Sequence, residues 1–345
     1  MTLPIPSGTR DVLPDEMRER DGVLDALRRT YRDHGYGEVS TPAVEYASVL
    51  ERAGVDPDGA ARPRFHTVDE RGQTLVLRSD MTVPIARLVG SRFADAPTPI
   101  RLSYTANCYR GVTPGRGDAR EVLQSGIELC GAPAPAGTVE ALTVLVAALR
   151  AVGLDGGRVA VGDAAFFPGL LEGLDVAPDA RDRVLHELAT RDHVGLRREL
   201  DAALAPDVAA RLAEVAGRRG GPEIVAETGD AQIDRAAAGL RELVAGLAPD
   251  VVDHVILDLG LTRRLGYYTG AVFEVFAPGI GHPIGGGGRY DDLLGRLGRD
   301  LPAVGFALDV DAVHTALVGT ARGSWRQVGW DAPPGQPAPI PGEDA

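Results

Sequence analysis

The 345-residue chain contains no lysine, so all 36 of its basic residues are arginine. Without lysine the chain cannot form a Walker A phosphate loop, a pyridoxal Schiff base, a lysine general base or the strand lysine of a kinase. Its seven histidines lie far apart and form no HExxH or comparable metal-ligand spacing. We therefore expect no zinc hydrolase, no resident metal and no cofactor.

Cysteines and long apolar runs are also scarce. Cys108 and Cys130 are too few for a disulfide framework or a cysteine zinc cluster, and they fit a reducing compartment. No apolar run approaches the length of about 18 residues typical of a membrane span, and the N-terminus lacks the pattern of a signal peptide. The net charge of −13 disfavours nucleic-acid binding. These features predict a cytoplasmic protein without a membrane span.

Hydrophobic residues make up 44% of the chain and charged residues 25%, as in ordinary globular proteins. The stretch from about 178 to 248 is rich in Ala, Leu, Arg and Asp and has helical periodicity, which predicts an insertion between two sheet-forming parts. The expected divisions are 1–175 for the first part of a core, 176–249 for the helical insertion, 250–318 for the second part and 319–345 for a Pro/Gly-rich, disordered tail. Trp325 and Trp330 lie in this tail, either as incidental residues or as a short docking motif.

Periodicity and turn residues predict individual elements within these parts. The predicted helices cover 14–34 and 139–152, and a further helix begins near 80. The predicted strands cover 38–45, 74–78, the consecutive segments 100–104 and 105–110, 121–129, 251–259, 267–276, 283–285 and 303–308. Since 100–110 and 121–129 are joined by a Gly/Pro/Arg loop, we expect them to pair antiparallel.

Two features suggest a small-molecule site. Five of the eight tyrosines stand in segments that also contain arginine and glycine, a composition suited to a polar pocket; they are Tyr104, Tyr109, Tyr267, Tyr268 and Tyr290. The run Gly285–Gly288 has two interpretations: close approach of backbone to a ligand, or a flexible turn or bulge before a helix at 291–297. It lacks the GxGxxG spacing of a Rossmann nucleotide site.

In chain order, these blocks resemble the catalytic core of class II aminoacyl-tRNA synthetases, and among them histidyl-tRNA synthetase. The matching blocks are SGTRDVLP at 7–14, GYGEVSTP at 35–42, LRSDMT at 77–82, YR at 109–110 with LQSGIE at 123–128, the segment 263–275, GGRYD at 287–291 and GFAL at 305–308. The resemblance extends over about residues 3 to 318. It implies an α+β fold with an antiparallel sheet flanked by helices and carrying a helical insertion.

The chain departs from the synthetases where they hold ATP. Val112 and Thr113 stand where the second motif has a Glu and an Arg, and Ala312 replaces an Arg of the third motif. Asp309 and Asp311 flank that position and would repel a polyphosphate. The Pro-rich tail also stands where the synthetases continue into an anticodon-binding domain. We therefore expect no catalytic residues, no adenylation and no tRNA binding.

The amino-acid pocket of the synthetases is largely retained. Carboxylates suit an ammonium group, an arginine suits a carboxylate, and aromatic walls suit a ring. Asp80 is one methylene shorter than the usual Glu, and Gly266 replaces an acidic residue. The resemblance implies a histidine-binding set of Asp80, Thr82, Arg110, Gln124, Glu128, Arg263, Tyr267 and Tyr268.

A histidyl-synthetase-like core without the ATP-binding arginine resembles the regulatory subunits of short-form ATP phosphoribosyltransferase, as does Met81 after the acidic residue. This implies a non-catalytic subunit that supports a separate catalytic chain in the first step of histidine biosynthesis and responds to L-histidine. It also implies a homodimer, paired near Pro42, within a larger hetero-oligomer of unspecified stoichiometry.

Four alternatives remain open at this point. The chain could be a truncated or divergent synthetase-like enzyme that activates an amino acid with ATP, or a tRNA-binding module. The pocket could be a relic whose residues only pack the sheet. Histidine could instead bind at the interface with the catalytic chain.

Overall fold

The computed structural model describes residues 4–55, 63–112, 119–262 and 267–319. Within these ranges the helices are α1 Pro14–Asp33, α2 Ala47–Arg52, α3 Thr82–Arg92, α4 Ala136–Ala151, α5 Phe166–Glu172, α6 Pro178–Thr190, α7 His193–Ala203, α8 Pro206–Gly217, α9 Ala231–Ala236, α10 Ala238–Gly246, α11 Pro249–Val252, α12 Leu293–Arg296 and α13 Val310–Val318. The strands are β1 Gly37–Glu38, β2 Val44–Tyr46, β3 His66–Val68, β4 Thr74–Leu77, β5 Ile100–Tyr109, β6 Glu121–Cys130, β7 Arg158–Asp163, β8 Arg219–Gly220, β9 Val255–Asp258, β10 Ala271–Phe276, β11 Gly285–Arg289 and β12 Ala303–Asp309.

Nine strands form the main sheet in the order β1-β5-β6-β12-β11-β10-β7-β9-β8, and β2-β4-β3 form a small second sheet. The pairs from β5 to β7 are antiparallel, and the predicted pairing of β5 with β6 is confirmed. β1 runs parallel to β5, and β9 runs parallel to β7. The expected α+β fold with a mainly antiparallel sheet flanked by helices is thus confirmed, and the sheet is mixed near its edges.

One face of the main sheet carries the larger hydrophobic core. Because side chains alternate along a strand, Ile127, Leu129, Phe273 and Phe306 all point to this face and are almost fully buried. Helices α1, α4 and α13 cover them. α1 forms as predicted, since Pro14 suits the first helical position and the helix buries an apolar stripe of Val23, Leu24, Leu27 and Tyr31.

Helices α6 to α10 lie in the stretch whose composition predicted helices. Each of α6, α7 and α8 is amphipathic and buries apolar residues on one side. α6 and α8 both begin with a proline, and the carboxylate of Asp192 caps α7 by accepting from the amides of Val194 and Gly195. The buried apolar residues of this segment, which we call the helical insertion, belong to the same core cluster as those of the main sheet.

Several predicted strands have different bounds. The stretch 38–45 is not one strand: Gly37–Glu38 pairs with β5, whereas Val44–Tyr46 pairs with β4 in the small sheet. Pro42 stands between them, and a proline cannot donate to a strand ladder. The stretch 251–259 begins as the helical turn α11, because Pro249 favours a first helical turn. The stretch 267–276 becomes a strand only from Ala271.

The glycine run differs most from its predicted structure. Gly285–Arg289 is a central strand between β10 and β12, so the interpretation as a flexible turn or bulge is wrong. At this position the neighbouring chains come very close: a Cβ on Gly287 would lie 2.0 Å from the carbonyl oxygen of Gly305. Poor strand propensity is overridden here, because tertiary pairing on both sides stabilises the extended backbone.

The expected tail, with Trp325 and Trp330, lies outside the described residues apart from Gly319. Among the helices of the described ranges, none combines the length and apolar character that crossing a bilayer requires.

Candidate ligand-binding site

A cavity of about 360 Å³ opens on the face of the main sheet opposite the larger core. Its floor follows from strand register, in which Glu274 pairs with Gly286, Gly286 with Ala307, and Ala307 with Gly126. Three successive positions across the sheet therefore carry no side chain larger than a methyl group. This row of small residues creates the space, whose size is typical of small-molecule sites.

In the next row on this face, two glycines leave room for a carboxyl group and an aromatic ring of the cavity. Gly288 pairs with Gly305, and Gly305 pairs with Glu128. A Cβ on Gly305 would lie 1.8 Å from Oε2 of Glu128, and one on Gly288 would lie 2.7 Å from the ring of Tyr268. Only glycine at these two positions allows the carboxyl group and the ring to lie against the sheet.

Glu128 is the most buried acid of the cavity, with 1% of its surface exposed. Oγ1 of Thr82 donates to its Oε1 at 2.9 Å, and the hydroxyl of Tyr290 donates to its Oε2. Burial raises the pKa of Glu128 to about 8, and the hydrogen bonds from Tyr290 and Thr82 oppose this rise only in part. The carboxyl group is therefore mostly protonated at neutral pH, and a cationic ligand would favour its ionisation.

Asp80 and Arg110 are held together at the entrance to α3. Oδ2 of Asp80 accepts from Oγ of Ser79 at 3.1 Å, and its Oδ1 accepts from the amide of Thr82 at 3.2 Å. Nε of Arg110 donates to the carbonyl oxygen of Ser79 at 3.0 Å. An anion and a cation thus line one cavity and are fixed by one short loop, which suits a zwitterionic ligand.

Gln124 is oriented by a buried thiol. Sγ of Cys108 donates to Oε1 of Gln124 at 3.1 Å. Burial raises the pKa of Cys108 to about 12, so the group remains a neutral thiol and a donor at physiological pH. The amide of Gln124 is therefore held in one orientation at the cavity wall.

Three tyrosines form the aromatic wall. The ring centroids of Tyr267 and Tyr268 are 4.9 Å apart, and those of Tyr267 and Tyr290 are 5.9 Å apart at an interplanar angle of 80°. Tyr267 and Tyr290 are buried, whereas Tyr268 is half-buried. Such a cluster provides apolar ring surfaces against which a planar ligand ring can pack, and the hydroxyl of Tyr290 donates to Glu128.

Seven of the eight predicted site residues line this one cavity: Asp80, Thr82, Arg110, Gln124, Glu128, Tyr267 and Tyr268. The eighth, Arg263, lies outside the described residues, as do Thr113 and Gly266. Tyr104, Glu274, Tyr290 and Asp309 also line the cavity but were absent from the predicted set. Two of them, Tyr104 and Tyr290, belong to the segments of tyrosine, arginine and glycine whose composition predicted a polar pocket.

The N-terminus of α13 is already occupied by the chain's own carboxylate. Oδ1 of Asp309 accepts from the amides of Asp311 and Ala312, each at 3.0 Å. Asp311 in turn pairs with Arg10 at 2.9 Å and with Arg20 at 3.3 Å. Helix N-termini are common phosphate sites, but here the amide donors are already capped by a carboxylate of the chain itself. In the described part of the chain, no group of three or more His, Cys, Asp or Glu residues is suited to hold a metal ion.

Comparison with known proteins relates this geometry to one family. The family model described as histidyl-tRNA synthetase matches residues 8–313. The ATP phosphoribosyltransferase regulatory subunit of Symbiobacterium thermophilum is 40% identical over 90% of this chain and 79% of the relative. The protein of the same name from Rubrobacter xylanophilus is also 40% identical, over 98% of this chain and 79% of the relative.

Solved structures agree with these relatives. A crystal structure from Bacillus halodurans, described as an ATP phosphoribosyltransferase regulatory subunit/histidyl-tRNA synthetase, is 32% identical with a TM-score of 0.84. The match covers 92% of this chain and 84% of that one. The fold, the order of the motifs and the identity over most of both chains therefore agree: the chain belongs to the histidyl-tRNA synthetase family and, within it, to the ATP phosphoribosyltransferase regulatory subunits.

Proposed function

We propose that this chain is the regulatory subunit of a short-form ATP phosphoribosyltransferase and that it binds L-histidine in the cavity of the main sheet. One observation supports the ligand assignment: seven residues from separate sequence blocks, which the family resemblance predicts to bind histidine, line a single cavity. The relatives' shared name supports a partnership with the catalytic chain in histidine biosynthesis.

The chemistry of the wall fits an amino acid with a polar ring. Arg110 offers a cation for the ligand carboxylate, while Asp80 and Glu128 offer acceptors for its ammonium group. The tyrosine wall and the amide of Gln124 suit the faces and nitrogen atoms of an imidazole.

The proposal includes the absence of catalysis by this chain itself. Asp309 caps α13 where a phosphate would otherwise bind, and Ala312 offers no cation there. ATP–pyrophosphate exchange with each amino acid should therefore remain at background, with and without the catalytic chain. Exchange above background would instead support the second candidate, a divergent synthetase-like enzyme, which the retained Arg110 favours.

Isothermal titration tests the ligand. L-histidine should bind, and L-histidinol, which lacks the carboxylate, should bind at least about tenfold more weakly because a charge-assisted hydrogen bond contributes about 1.5–3 kcal/mol. Equal binding of the two compounds would contradict the role of Arg110.

Mass measurement of the chain at micromolar concentration tests the homodimer, and a strictly monomeric mass would contradict it.

Co-purification with the short catalytic chain, assayed with and without histidine, tests the regulation. Feedback requires histidine to bind one state of the assembly better than another. Glu128→Gln should weaken both histidine binding and inhibition, because the two are thermodynamically linked. A Glu128→Gln complex that remains active and fully inhibited by histidine would place the inhibitory site elsewhere, and the cavity would be a relic.

A further inference from the structure

An ion pair links the helical insertion to the wall of the cavity. Nη2 of Arg191 lies 2.6 Å from Oε2 of Glu274, although the two residues are 83 positions apart. Glu274 belongs to β10 and lines the cavity at one end of the small-residue floor. The carboxylate is 16% exposed and the arginine 43% exposed, so the pair lies at the boundary between cavity and solvent.

The backbone at Arg191 is unusual. Its φ is +58° and its ψ is +28°, a left-handed conformation that ordinarily favours glycine. Among the described residues it is the only non-glycine residue with positive φ. This conformation ends α6, because the amides of Arg191 and Asp192 donate to the carbonyl oxygens of Leu188 and Glu187. From this helix end the side chain of Arg191 reaches Glu274.

α6 is anchored at both ends. Near its start, Nη2 of Arg181 donates to the carbonyl oxygen of Pro168 in α5 at 3.2 Å. At its end, Arg191 reaches Glu274. The anchors are ten residues apart, or about 15 Å along a helix. α6 therefore contacts α5 near its start and the cavity end of β10 at its end, and α7 follows directly through the Asp192 cap.

Glu274 is one of several ionisable groups around the cavity. The described ionisable acids and arginines of the wall are Asp80, Arg110, Glu128, Glu274 and Asp309. Carboxyl groups thus outnumber the single guanidinium, and the Arg191–Glu274 pair adds a cation at the rim. Glu274 lies about three strand spacings, or about 14 Å, from the β6 end of the floor, so the ion pair stands at the far end of the cavity from Glu128.

We propose that the Arg191–Glu274 ion pair is a latch through which the helical insertion closes one end of the cavity, so that ligand binding and the position of α6 and α7 are coupled. The inference rests on the proposed binding of histidine in this cavity. It adds a positioning role for two residues outside the predicted histidine-binding set, and it assigns the insertion a part in sensing.

Arg191→Gly is the decisive variant. Glycine adopts the left-handed backbone without strain, so the change removes the guanidinium without disfavouring the fold. Arg183→Ala is the matched control, because Arg183 also lies on α6 and pairs at 2.8 Å with Glu199 inside the insertion. Glu274→Gln removes the other partner, and the double variant completes a cycle.

Hydrogen exchange and isothermal titration are measured on the full chain. We expect Arg191→Gly and Glu274→Gln to speed exchange in α6 and α7 without ligand, to lose the additional protection that histidine gives there, and to bind histidine about three- to tenfold more weakly. The double variant should resemble Arg191→Gly. Arg183→Ala should keep both the protection and the affinity.

The outcomes separate the two proposals. Failure of the wild-type chain to bind histidine would overturn the proposed ligand and with it the sensing role of the insertion. Histidine binding by the wild type, together with the same protection and affinity in Arg191→Gly as in Arg183→Ala, would overturn the latch alone.

Discussion

The two faces of the central sheet differ in composition, although alternate residues of the same strands form both of them. On one face, Phe273, Phe306, Ile127 and Leu129 fill the space against helices. On the other, glycine and alanine leave the space open, and ionisable groups surround it. Strand alternation assigns every second residue to stability and the others to binding. Mutations on the two faces should therefore have separable effects.

The largest expected effect lies on the filled face. Phe273→Ala removes a fully buried ring and should lower the free energy of unfolding by about 3–5 kcal/mol. Val194→Ala, at a position 81% exposed, serves as the control and should change it by less than about 0.5 kcal/mol. Urea unfolding measures both. A loss below about 1 kcal/mol for Phe273→Ala would contradict the assignment of this face to the core.

The next effect concerns binding on the open face. Glu128→Ala removes a buried acceptor that Thr82 and Tyr290 hold in place. Histidine affinity should fall about ten- to a hundredfold, equivalent to about 1.5–3 kcal/mol. Isothermal titration provides the measurement, with circular dichroism to verify folding. Unchanged affinity in a folded variant would show that this carboxyl group does not contact the ligand.

Gly305→Ala tests whether the two faces depend on each other. Its Cβ would lie 1.8 Å from Oε2 of Glu128, so the carboxyl group must move. We expect a loss of about 1–3 kcal/mol in unfolding free energy, together with weaker histidine binding. Gly169→Ala in α5 is the control, since no atom lies within 4 Å of its added Cβ. Thermal unfolding and titration would contradict the prediction if both variants behaved alike.

The last expected effect is a dependence of stability on pH. The pKa of Glu128 rises from 4.5 to about 8 on folding, so between these values the folded state holds more protons than the unfolded state. The contribution of this group to the free energy of unfolding is fully present below pH 4.5 and is lost as pH rises from 4.5 through about 8. Glu128→Gln, which cannot ionise, should reduce the decline by at least about 1 kcal/mol, since one pKa unit corresponds to about 1.4 kcal/mol.

Glu140 provides a control of opposite sign. The hydrogen bond from Arg101 is the main cause that lowers the pKa of Glu140. Its contribution to stability is present above pH 4.5 and declines only as pH falls below that value. Urea unfolding of Glu128→Gln and Glu140→Gln from about pH 3 to 9 should therefore show their differences from the wild type at opposite ends of the range. Parallel profiles for Glu128→Gln and the wild type would contradict the burial of an ionisable group at this site.

The sequence alone determined α1, α4, the helices of the insertion, the β5–β6 pair and the residue types of the site. Long amphipathic periods and proline or glycine at helix ends are local signals, so α1 and the helices of the insertion could be predicted from neighbouring residues. The motif order likewise predicted seven residues of one cavity. The helices depend on residues close in sequence, and the site residues were predicted from short sequence motifs.

Tertiary structure alone decided where those residues meet. The glycine run became a strand because β10 and β12 pair with it on both sides, which no local propensity indicates. The cavity floor requires Glu274, Gly286, Ala307 and Gly126 to fall in one row, and that row depends on the register of four strands. The contact between Arg191 and Glu274 joins positions 83 residues apart. Register and long-range contact are set by how the whole core packs, so the local pattern could supply the groups of this site but not their arrangement.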